Sequence, residues 1–246
     1  MSHRTPTLLF AHRGASHDAP ENTLAAYATG WEQQADGLEL DIHLTADGRI
    51  LLMHDADTRR TTSVAGKISA QTFDELRRLD AGAWKGATWT GQRIPTLDEA
   101  LATAPAGKQV IIEIKCGPGI IPALKDSIEK SGKPSGELLF HCFTFETICA
   151  AKQAMPRIRA CWLVNPTPDT DLLPLLEKAR AAGLDAFNPN VNARIDEQLV
   201  TQAHASNMGI FVWTVNDPDA ARRLTSLGVD GILTDRPGWM RVQLLK

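Results

Sequence analysis

The sequence has little net charge and few cysteines, and it contains no long hydrophobic run. Its 246 residues carry 26 Lys and Arg against 29 Asp and Glu, which gives a formal net charge of −3. This balance argues against bulk nucleic-acid binding, but it allows a site for a small anion, because one metal ion or two cationic side chains reverse the field locally. No stretch approaches the roughly 20 apolar residues that a membrane-spanning helix needs. We therefore expect no membrane span and a small-molecule substrate.

The four cysteines are too widely spaced to indicate a zinc site or a redox pair. Cys116, Cys142, Cys149 and Cys161 form no C-x-x-C pair and are spread through apolar segments. This distribution is typical of reduced, buried thiols and not of a disulfide framework. The apolar run at residues 7–11 is shorter than the core of a signal peptide, which takes about 7–15 residues. We therefore expect a cytoplasmic protein.

Short β-rich runs alternate with helical patterns along almost the whole chain. This alternation predicts a parallel sheet with helices outside it. Eight such units match a closed (β/α)8 TIM barrel, whereas an open doubly wound sheet usually has fewer strands and often begins with a G-x-G-x-x-G turn, which is missing here. We predict strands at residues 8–11, 37–42, 110–115, 138–143, 159–164, 186–189, 209–215 and 231–234, and helices at 22–34, 97–103, 122–131, 145–154, 171–182, 196–206, 217–227 and after Pro237.

Residues 56–93 interrupt this alternation. The segment is rich in Gly, carries Trp84 and Trp89, and is far longer than the 2–6 residues of a usual βα loop. It is either an inserted subdomain after the second strand, over the barrel mouth, or a surface loop that only covers apolar residues. The turn at residues 45–48 predicts that 49–53 fold back as a hairpin arm that brings His54 to the strand end. We expect one barrel domain over residues 1–246 with an insertion at 56–93.

Two strands carry charged residues at alternate positions. Glu39 and Asp41 share one face of the second strand, and Glu113 and Lys115 share one face of the third. Because helices cover the outer face, these side chains point inward near the strand ends, where barrel enzymes have their active sites. Three carboxylates repel one another unless a cation intervenes, and an all-oxygen set suits one divalent cation, Mg²⁺ or Ca²⁺. A salt-bridge network of the three acids with Lys115 and Arg13 is the alternative.

Two histidines follow strand ends close to these acids. His12 ends the first strand, and His54 ends the hairpin arm. A single histidine at a strand end is more often structural, but two beside a carboxylate cluster can act as general base and general acid at neutral pH. Arg13 and Lys115 supply one bidentate fork and one point charge, a combination that favours a phosphate oxyanion.

The seventh predicted strand ends in an aromatic run. Alternation turns Trp213 into the barrel together with Phe211 and Val215. In that position Trp213 is either a plain core aromatic or an apolar wall against the organic part of a substrate. The sequence alone leaves both interpretations open.

Nine short motifs occur in order across roughly residues 8–238. They are His12-Arg13-Gly14, Pro20-Glu21-Asn22-Thr23, Glu39-Leu40-Asp41, Thr45-Ala46-Asp47-Gly48, His54-Asp55, Arg60-Thr61-Thr62, Glu113-Ile114-Lys115, Trp213-Thr214-Val215-Asn216 and Thr234-Asp235-Arg236-Pro237. Each is weak alone. Together they resemble the glycerophosphodiester phosphodiesterases, and most of all the short cytoplasmic bacterial members.

The resemblance implies a metal-dependent TIM-barrel enzyme. Such an enzyme cleaves glycerophosphodiesters, for example glycerophosphocholine or glycerophosphoethanolamine, into sn-glycerol 3-phosphate and an alcohol. In the usual mechanism the glycerol 2-hydroxyl attacks phosphorus, and water then opens the cyclic phosphate. The resemblance implies that the metal ligands are Glu39, Asp41 and Glu113, that the phosphate contacts are Arg13 and Lys115, and that the base and acid are His12 and His54.

Two other functions remain possible from the sequence. One is a phospholipase-D-like lyase of the same superfamily that stops at the cyclic phosphate, and the other is a non-catalytic module that binds a phosphate ligand. The second would be expected to have lost a histidine or a metal carboxylate, and none is missing.

Cys142 stands where relatives commonly have Ser, and Cys116 where they often have Pro or a polar residue. The sequence does not identify the alcohol head group, the metal ion or the oligomeric state.

Overall fold

Parallel strands close into a barrel, and helices surround it. In the computed structural model, which describes residues 6–245, all strands but β3 are parallel. β1 pairs with both the second and the last strand, which closes an eight-stranded barrel within those residues and confirms the predicted fold. The strands are β1 (Leu8–Ala11), β2 (Gly37–Leu44), β3 (Ile50–Leu52), β4 (Gln109–Ile114), β5 (Leu138–Cys142), β6 (Arg159–Val164), β7 (Ala186–Pro189), β8 (Gly209–Val212) and β9 (Gly231–Thr234).

Helices follow the barrel strands in the predicted alternation. Asp196 and Asp217 cap the helices that follow them by accepting backbone N–H groups, and Pro237 begins the last helix. The helices are α1 (Leu24–Glu32), α2 (Arg59–Thr62), α3 (Phe73–Leu76), α4 (Leu97–Thr103), α5 (Ile121–Ser131), α6 (Phe145–Ala154), α7 (Leu173–Ala181), α8 (Glu197–Ala205), α9 (Pro218–Leu227) and α10 (Pro237–Leu244).

The apolar core has two parts, one on each face of the barrel wall. Leu38, Leu40 and Ile42 lie in the larger outer cluster, between the strands and the helices, as the alternation in β2 predicted. A smaller inner cluster fills the barrel, and we call it the lower layer. Its buried members are Phe10, Ile111, Leu139, Cys161, Ala186, Phe211 and Leu233.

β8 is shorter than predicted, and this changes the placement of one residue. The strand ends at Val212, and the backbone N–H of Val215 donates to the carbonyl oxygen of Leu233 at 2.8 Å. The side chain of Val215 lies in the outer cluster. The inward placement predicted for Val215 is wrong, because the alternation of side chains does not continue past the end of a regular strand.

Between β2 and α4 the chain departs from the alternation of parallel strands and helices. β3 runs antiparallel to the end of β2 and confirms the predicted arm. The segment between β3 and α4 contains α2 and α3, and it has an apolar cluster of its own. That cluster is made of Leu51, Met53, Ile68, Phe73, Leu76, Ala81 and Ile94. The division of the chain into a barrel and an inserted subdomain at 56–93 stays a prediction.

The cysteines and the helix lengths bear on two further expectations. The four cysteines all lie in the described part of the chain and are unpaired; Cys142 and Cys161 are buried, whereas Cys116 and Cys149 are only partly so. The expected burial is therefore right for two of them. Within residues 6–245 no helix has the length and apolar character needed to cross a membrane.

Candidate active site

Three carboxylates meet inside the barrel near the carboxyl ends of β2 and β4. Asp41 and Glu113 are partners in the parallel register of these strands. One ligand oxygen from each of Glu39, Asp41 and Glu113 lies within 4.8 Å of the others, and all three side chains are buried. The convergence that the alternation predicted is present in the structure.

The donor set fits a divalent cation. Glu39 Oε1 and Asp41 Oδ1 are buried and have no hydrogen-bond partner among the described residues. Buried carboxylate oxygens are costly when unpaired, and hard cations such as Mg²⁺ and Ca²⁺ prefer oxygen ligands. The group formed by Glu39, Asp41 and Glu113 can therefore hold one such ion.

The raised pKa values of Glu39 and Glu113 also favour a bound cation. Burial raises the pKa of Glu39 well above its usual range, and the neighbouring Asp41 and Glu113 raise it further. Burial and the Asp41 charge raise the pKa of Glu113 to about 7. Charges of one sign in a dry site destabilise one another, and a bound cation removes this cost.

Two cationic side chains lie against the carboxylates. Lys115 Nζ donates to Glu113 Oε1 at 2.6 Å and lies 3.6 Å from Asp41 Oδ1. Arg13 Nε is 3.5 Å from Asp41 Oδ2. Burial alone would lower the pKa of Lys115, but the Asp41 and Glu113 carboxylates outweigh it, so the net pKa is raised. Part of the salt-bridge network considered from the sequence is thus present, yet it leaves Glu39 Oε1 and Asp41 Oδ1 without a hydrogen bond from the described residues.

The turn after β1 places Arg13 beside the acids. Arg13 has φ +57°, in the left-handed region that side-chain-bearing residues rarely adopt, and Gly14 follows with φ +79°. A Cβ on Gly14 would lie 2.6 Å from the Ala26 carbonyl carbon. The backbone N–H of Arg13 donates to Glu39 Oε2 at 2.8 Å. The His12-Arg13-Gly14 motif is therefore a tight turn whose backbone and side chain both contact the carboxylate group.

His12 is held by the carboxylate of the residue that directly follows the last strand. Its Nδ1 lies 2.7 Å from Asp235 Oδ1. Asp235 also accepts hydrogen bonds from Ser16 Oγ at 3.0 Å and from Asn216 Nδ2 at 2.6 Å. An imidazole that donates from Nδ1 to a carboxylate keeps a lone pair on Nε2, which is the arrangement that a general base requires.

His54 is held in the same way, by the residue that follows it. Its Nδ1 lies 2.7 Å from Asp55 Oδ1, and the side chain is 31% exposed, so the imidazole is accessible from solvent. His43 Nε2 contacts the His54 carbonyl oxygen at 3.2 Å. Burial lowers the pKa of His54, and the Asp41 charge opposes this lowering only in part. The neutral imidazole is therefore favoured in the substrate-free protein.

Trp213 lies next to a partly exposed aromatic ring. Its indole meets Phe143 edge to face at 5.2 Å between ring centroids, and its Nε1 donates to the Asn188 carbonyl oxygen at 3.2 Å. Lys115 Nζ is 5.6 Å from the centroid of Phe143. Trp213 packs against the lower layer with one part of its surface, so both interpretations from the sequence have a structural basis.

Comparison with known proteins decides the family. The model of the glycerophosphoryl diester phosphodiesterase family matches residues 12–239. The chain belongs to this family. A glycerophosphodiester phosphodiesterase of Caldanaerobacter subterraneus is 33% identical over 94% of this chain and 95% of its own length, and one of Bacillus altitudinis is equally similar, with the same coverage. A phosphodiesterase of Oleispira antarctica, solved in complex with the product sn-glycerol-3-phosphate, has a TM-score of 0.89 at 29% identity and covers 98% of each chain.

As a member of the glycerophosphoryl diester phosphodiesterase family, the chain is a phosphoric diester hydrolase. The family assignment and the enzyme class, both predicted from the sequence, are confirmed.

The phosphodiesterase site also contains residues that the sequence analysis did not assign to it. The sequence offers Asn22 or Thr23 as the cap of α1, and Thr23 is the cap. Asn22 Nδ2 donates to Asp41 Oδ2 at 2.7 Å instead, and Tyr27 donates to Asn22 Oδ1 at 3.0 Å. Asp235 lies within a quoted motif, but the motif does not reveal its contact with His12. Pairs 223 residues apart in the chain leave no local signal in one sequence.

Proposed function

We propose that this phosphodiesterase hydrolyses glycerophosphodiesters such as glycerophosphocholine and glycerophosphoethanolamine to sn-glycerol 3-phosphate and an alcohol. The observation that carries the proposal is a pair of imidazoles, each tied through Nδ1 to a carboxylate, beside buried acids and two cationic side chains. Such a site supplies proton transfer and phosphate binding together. The product bound to the Oleispira antarctica neighbour supports this substrate class.

The proposal includes one divalent cation, Mg²⁺ or Ca²⁺, held by Glu39, Asp41 and Glu113. Glu39 Oε1 and Asp41 Oδ1, which have no hydrogen bond among the described residues, support it, as does the raised pKa of Glu113. When bound, such an ion polarises a phosphoryl oxygen and offsets developing negative charge. Arg13 and Lys115 bind the remaining phosphate charge in this proposal.

The two histidines carry the protons in the proposed reaction. His12 removes the proton of the glycerol 2-hydroxyl, whose oxygen attacks phosphorus. The bond from phosphorus to the alcohol oxygen breaks, and His54 gives that oxygen a proton. Water then attacks the cyclic phosphate, and the bond from phosphorus to the glycerol 2-oxygen breaks. His54 takes a proton from this water and His12 returns one to the glycerol 2-oxygen, so both imidazoles recover their starting states.

The assignment of His54 as the acid requires a protonated imidazole in the substrate complex. Burial lowers the pKa of His54 in the free protein. An anionic phosphodiester beside the ring stabilises the charged form and so raises the pKa again. Substrate binding and protonation of His54 are thus coupled in this proposal.

Trp213 and Phe143 form the apolar side of the proposed substrate site. Phe143 is 38% exposed, and it lies between Lys115 and Trp213. Aromatic faces bind the apolar part of a ligand, while the charged groups bind its phosphate.

We also propose a cytoplasmic location, which the four unpaired cysteines support.

A coupled assay for glycerol 3-phosphate over a panel of glycerophosphodiesters tests the function. We expect activity that chelation abolishes and that either Mg²⁺ or Ca²⁺ restores, and phosphorus NMR should show the monoester as the final product. Accumulation of a cyclic phosphate without monoester would instead identify a lyase. Full activity after exhaustive chelation would contradict the cation site.

A further inference from the structure

Arg60, in α2 of the segment 56–93, binds two carboxylates at once. Its Nη1 and Nη2 donate to the two oxygens of Glu21, each at 2.7 Å. Its Nε donates to Asp55 Oδ2 at 2.7 Å, and its Nη2 is 3.2 Å from Asp55 Oδ1. The guanidinium therefore joins the loop after β1 to the loop after β3. Lysine has no planar fork and cannot reproduce this geometry.

Each of these carboxylates holds a residue of the proposed site. Glu21 Oε1 also accepts from Arg13 Nη1 at 2.9 Å, and Asp55 Oδ1 contacts His54 Nδ1 at 2.7 Å. Glu21 is the better buried of the two, at 11% exposure of its side chain against 34% for Asp55. Arg60 thus contacts both the carboxylate that holds Arg13 and the carboxylate that holds His54.

The charges within this group fit a positioning role. The hydrogen bond from Arg60 is the largest influence on Asp55 and contributes to lowering its pKa to about 2. Asp55 therefore stays ionised and accepts from His54 across the working pH range. Without Arg60, Glu21 and Asp55 would lose the positive charge that they share, and each could rotate to solvent. Exposed ion pairs add little to stability, so the main effect of Arg60 is expected on geometry.

A second contact links the same segment to the other imidazole. Lys85 Nζ donates to the Ser16 carbonyl oxygen at 2.7 Å. Ser16 Oγ in turn donates to Asp235 Oδ1 at 3.0 Å, the oxygen that contacts His12. The segment 56–93 therefore contacts Asp55, which holds His54, and Ser16, which donates to the carboxylate that holds His12. It does more than cover apolar residues.

We propose that Arg60 is a positioning residue for this active site, which fixes His54 through Asp55 and Arg13 through Glu21. The inference rests on the proposed function, since it assigns a purpose to contacts with residues of that site. It makes the segment 56–93 part of the catalytic apparatus. A misplacement of about 1 Å at a reacting group can cost about 10²-fold in rate.

Steady-state kinetics of R60M with glycerophosphocholine test this inference. The variant keeps the aliphatic stem and removes the five donors. We expect kcat to fall about 10- to 100-fold through His54, and KM to rise through Arg13. R60K is expected to recover only part of either change, because an ammonium cannot bind both carboxylates bidentately. The matched control is R59M, at an exposed neighbour in the same helix whose side chain has no hydrogen bond or ion pair among residues 6–245.

A double variant separates positioning from a general loss of structure. In a H54A background, R60M should change kcat by no more than about twofold, because the residue it positions is gone, while its effect on KM should remain. A multiplicative loss of kcat in the double variant would overturn the inference. So would an R60M enzyme that equals R59M, or unfolding of both R60M and R60K. Inactivity of the wild-type enzyme itself would instead contradict the proposed function.

Discussion

The inner face of the barrel has two layers that differ in chemistry although the same strands carry both, on the strand itself or on the residue directly after it. The lower layer is apolar, and the residue two positions later along a strand is in most cases polar or functional. Ile111 in β4 precedes Glu113, and Leu139 in β5 precedes His141. We call this second set the upper layer. It consists of His12, Glu113, His141, Asn188, Trp213 and Asp235, which follow Phe10, Ile111, Leu139, Ala186, Phe211 and Leu233.

The comparison shows how one strand serves both stability and catalysis. Side chains two positions apart point to the same face, so a strand can place an apolar residue in the core and a charged one at the mouth. The lower layer is packed with apolar side chains, whereas Glu113 of the upper layer lies beside Glu39 and Asp41, and burial and the Asp41 charge raise its pKa. Packing of the apolar lower layer offsets the free energy that is lost by burying charged side chains in the upper layer. Substitutions in the two layers should therefore separate activity from stability.

The largest effect is expected at the two imidazoles, His12 in the upper layer and His54 after β3. His12→Ala and His54→Ala should each lower kcat by about 10²- to 10⁴-fold, the usual contribution of general acid–base catalysis. The free energy of unfolding should change little, because both side chains lie at the mouth of the barrel. Kinetics and denaturant titration of the same preparations check both statements. Near wild-type turnover in both variants would remove the proposed mechanism.

The lower layer should show the opposite behaviour. Ile111 is fully buried, and Ile111→Ala should lower the free energy of unfolding by about 2–5 kcal/mol through lost burial and a cavity. Below its melting temperature the variant should keep a kcat within a few-fold of wild type. Urea titration and kinetics at low temperature measure these quantities. A loss of kcat comparable to that of the histidine variants would show that the layers do not act separately.

His141 belongs to the upper layer by position but is expected to affect stability. It is completely buried, and burial lowers its pKa to about 3, whereas an unfolded histidine titrates near 6.5. Between these values the unfolded chain binds more protons, so stability falls as the pH falls from about 6.5 to about 3.

His141→Gln should remove this part of the acid sensitivity. Denaturant midpoints of wild type and variant, compared at pH 7 and pH 4, give the difference directly. Parallel pH profiles of stability for the two proteins would show that His141 does not titrate in this window. The Asn188 amide, which lies 3.3 Å from His141 Nδ1, is a partner that glutamine can retain.

The smallest effect is expected from the cation. An ion that binds the folded protein alone stabilises it by about 2.7 kcal/mol at a concentration of 100 times its Kd. Mg²⁺ or Ca²⁺ should therefore raise the melting temperature of the wild type but not that of Glu39→Gln. Without metal, Glu39→Gln should be at least as stable as the wild type, because it removes one of three repelling charges. Equal metal-induced shifts in both proteins would place the ion elsewhere.

Local patterns predicted the regular parts of the molecule. The alternation of strands and helices gave the barrel, and the period of two in β2 and β4 gave the inward acids, because these patterns depend on residues close in sequence. They failed for Val215, where a strand ended early and alternation stopped. They offered Asn22 or Thr23 as the cap of α1, but they did not reveal that the Asn22 amide donates to Asp41.

The sequence by itself determined the fold class, the family and the types of residue at the site, since periodicity and ordered motifs are properties of the chain. Only the tertiary structure decided which distant residues contact the imidazoles or the carboxylates that hold them. Asp235 reaches His12 because β9 pairs with β1, and Arg60 contacts Glu21, 39 positions earlier in the chain, as well as Asp55. Such contacts follow from barrel closure and from the docking of residues 56–93. Both depend on packing between distant segments, which no local pattern encodes.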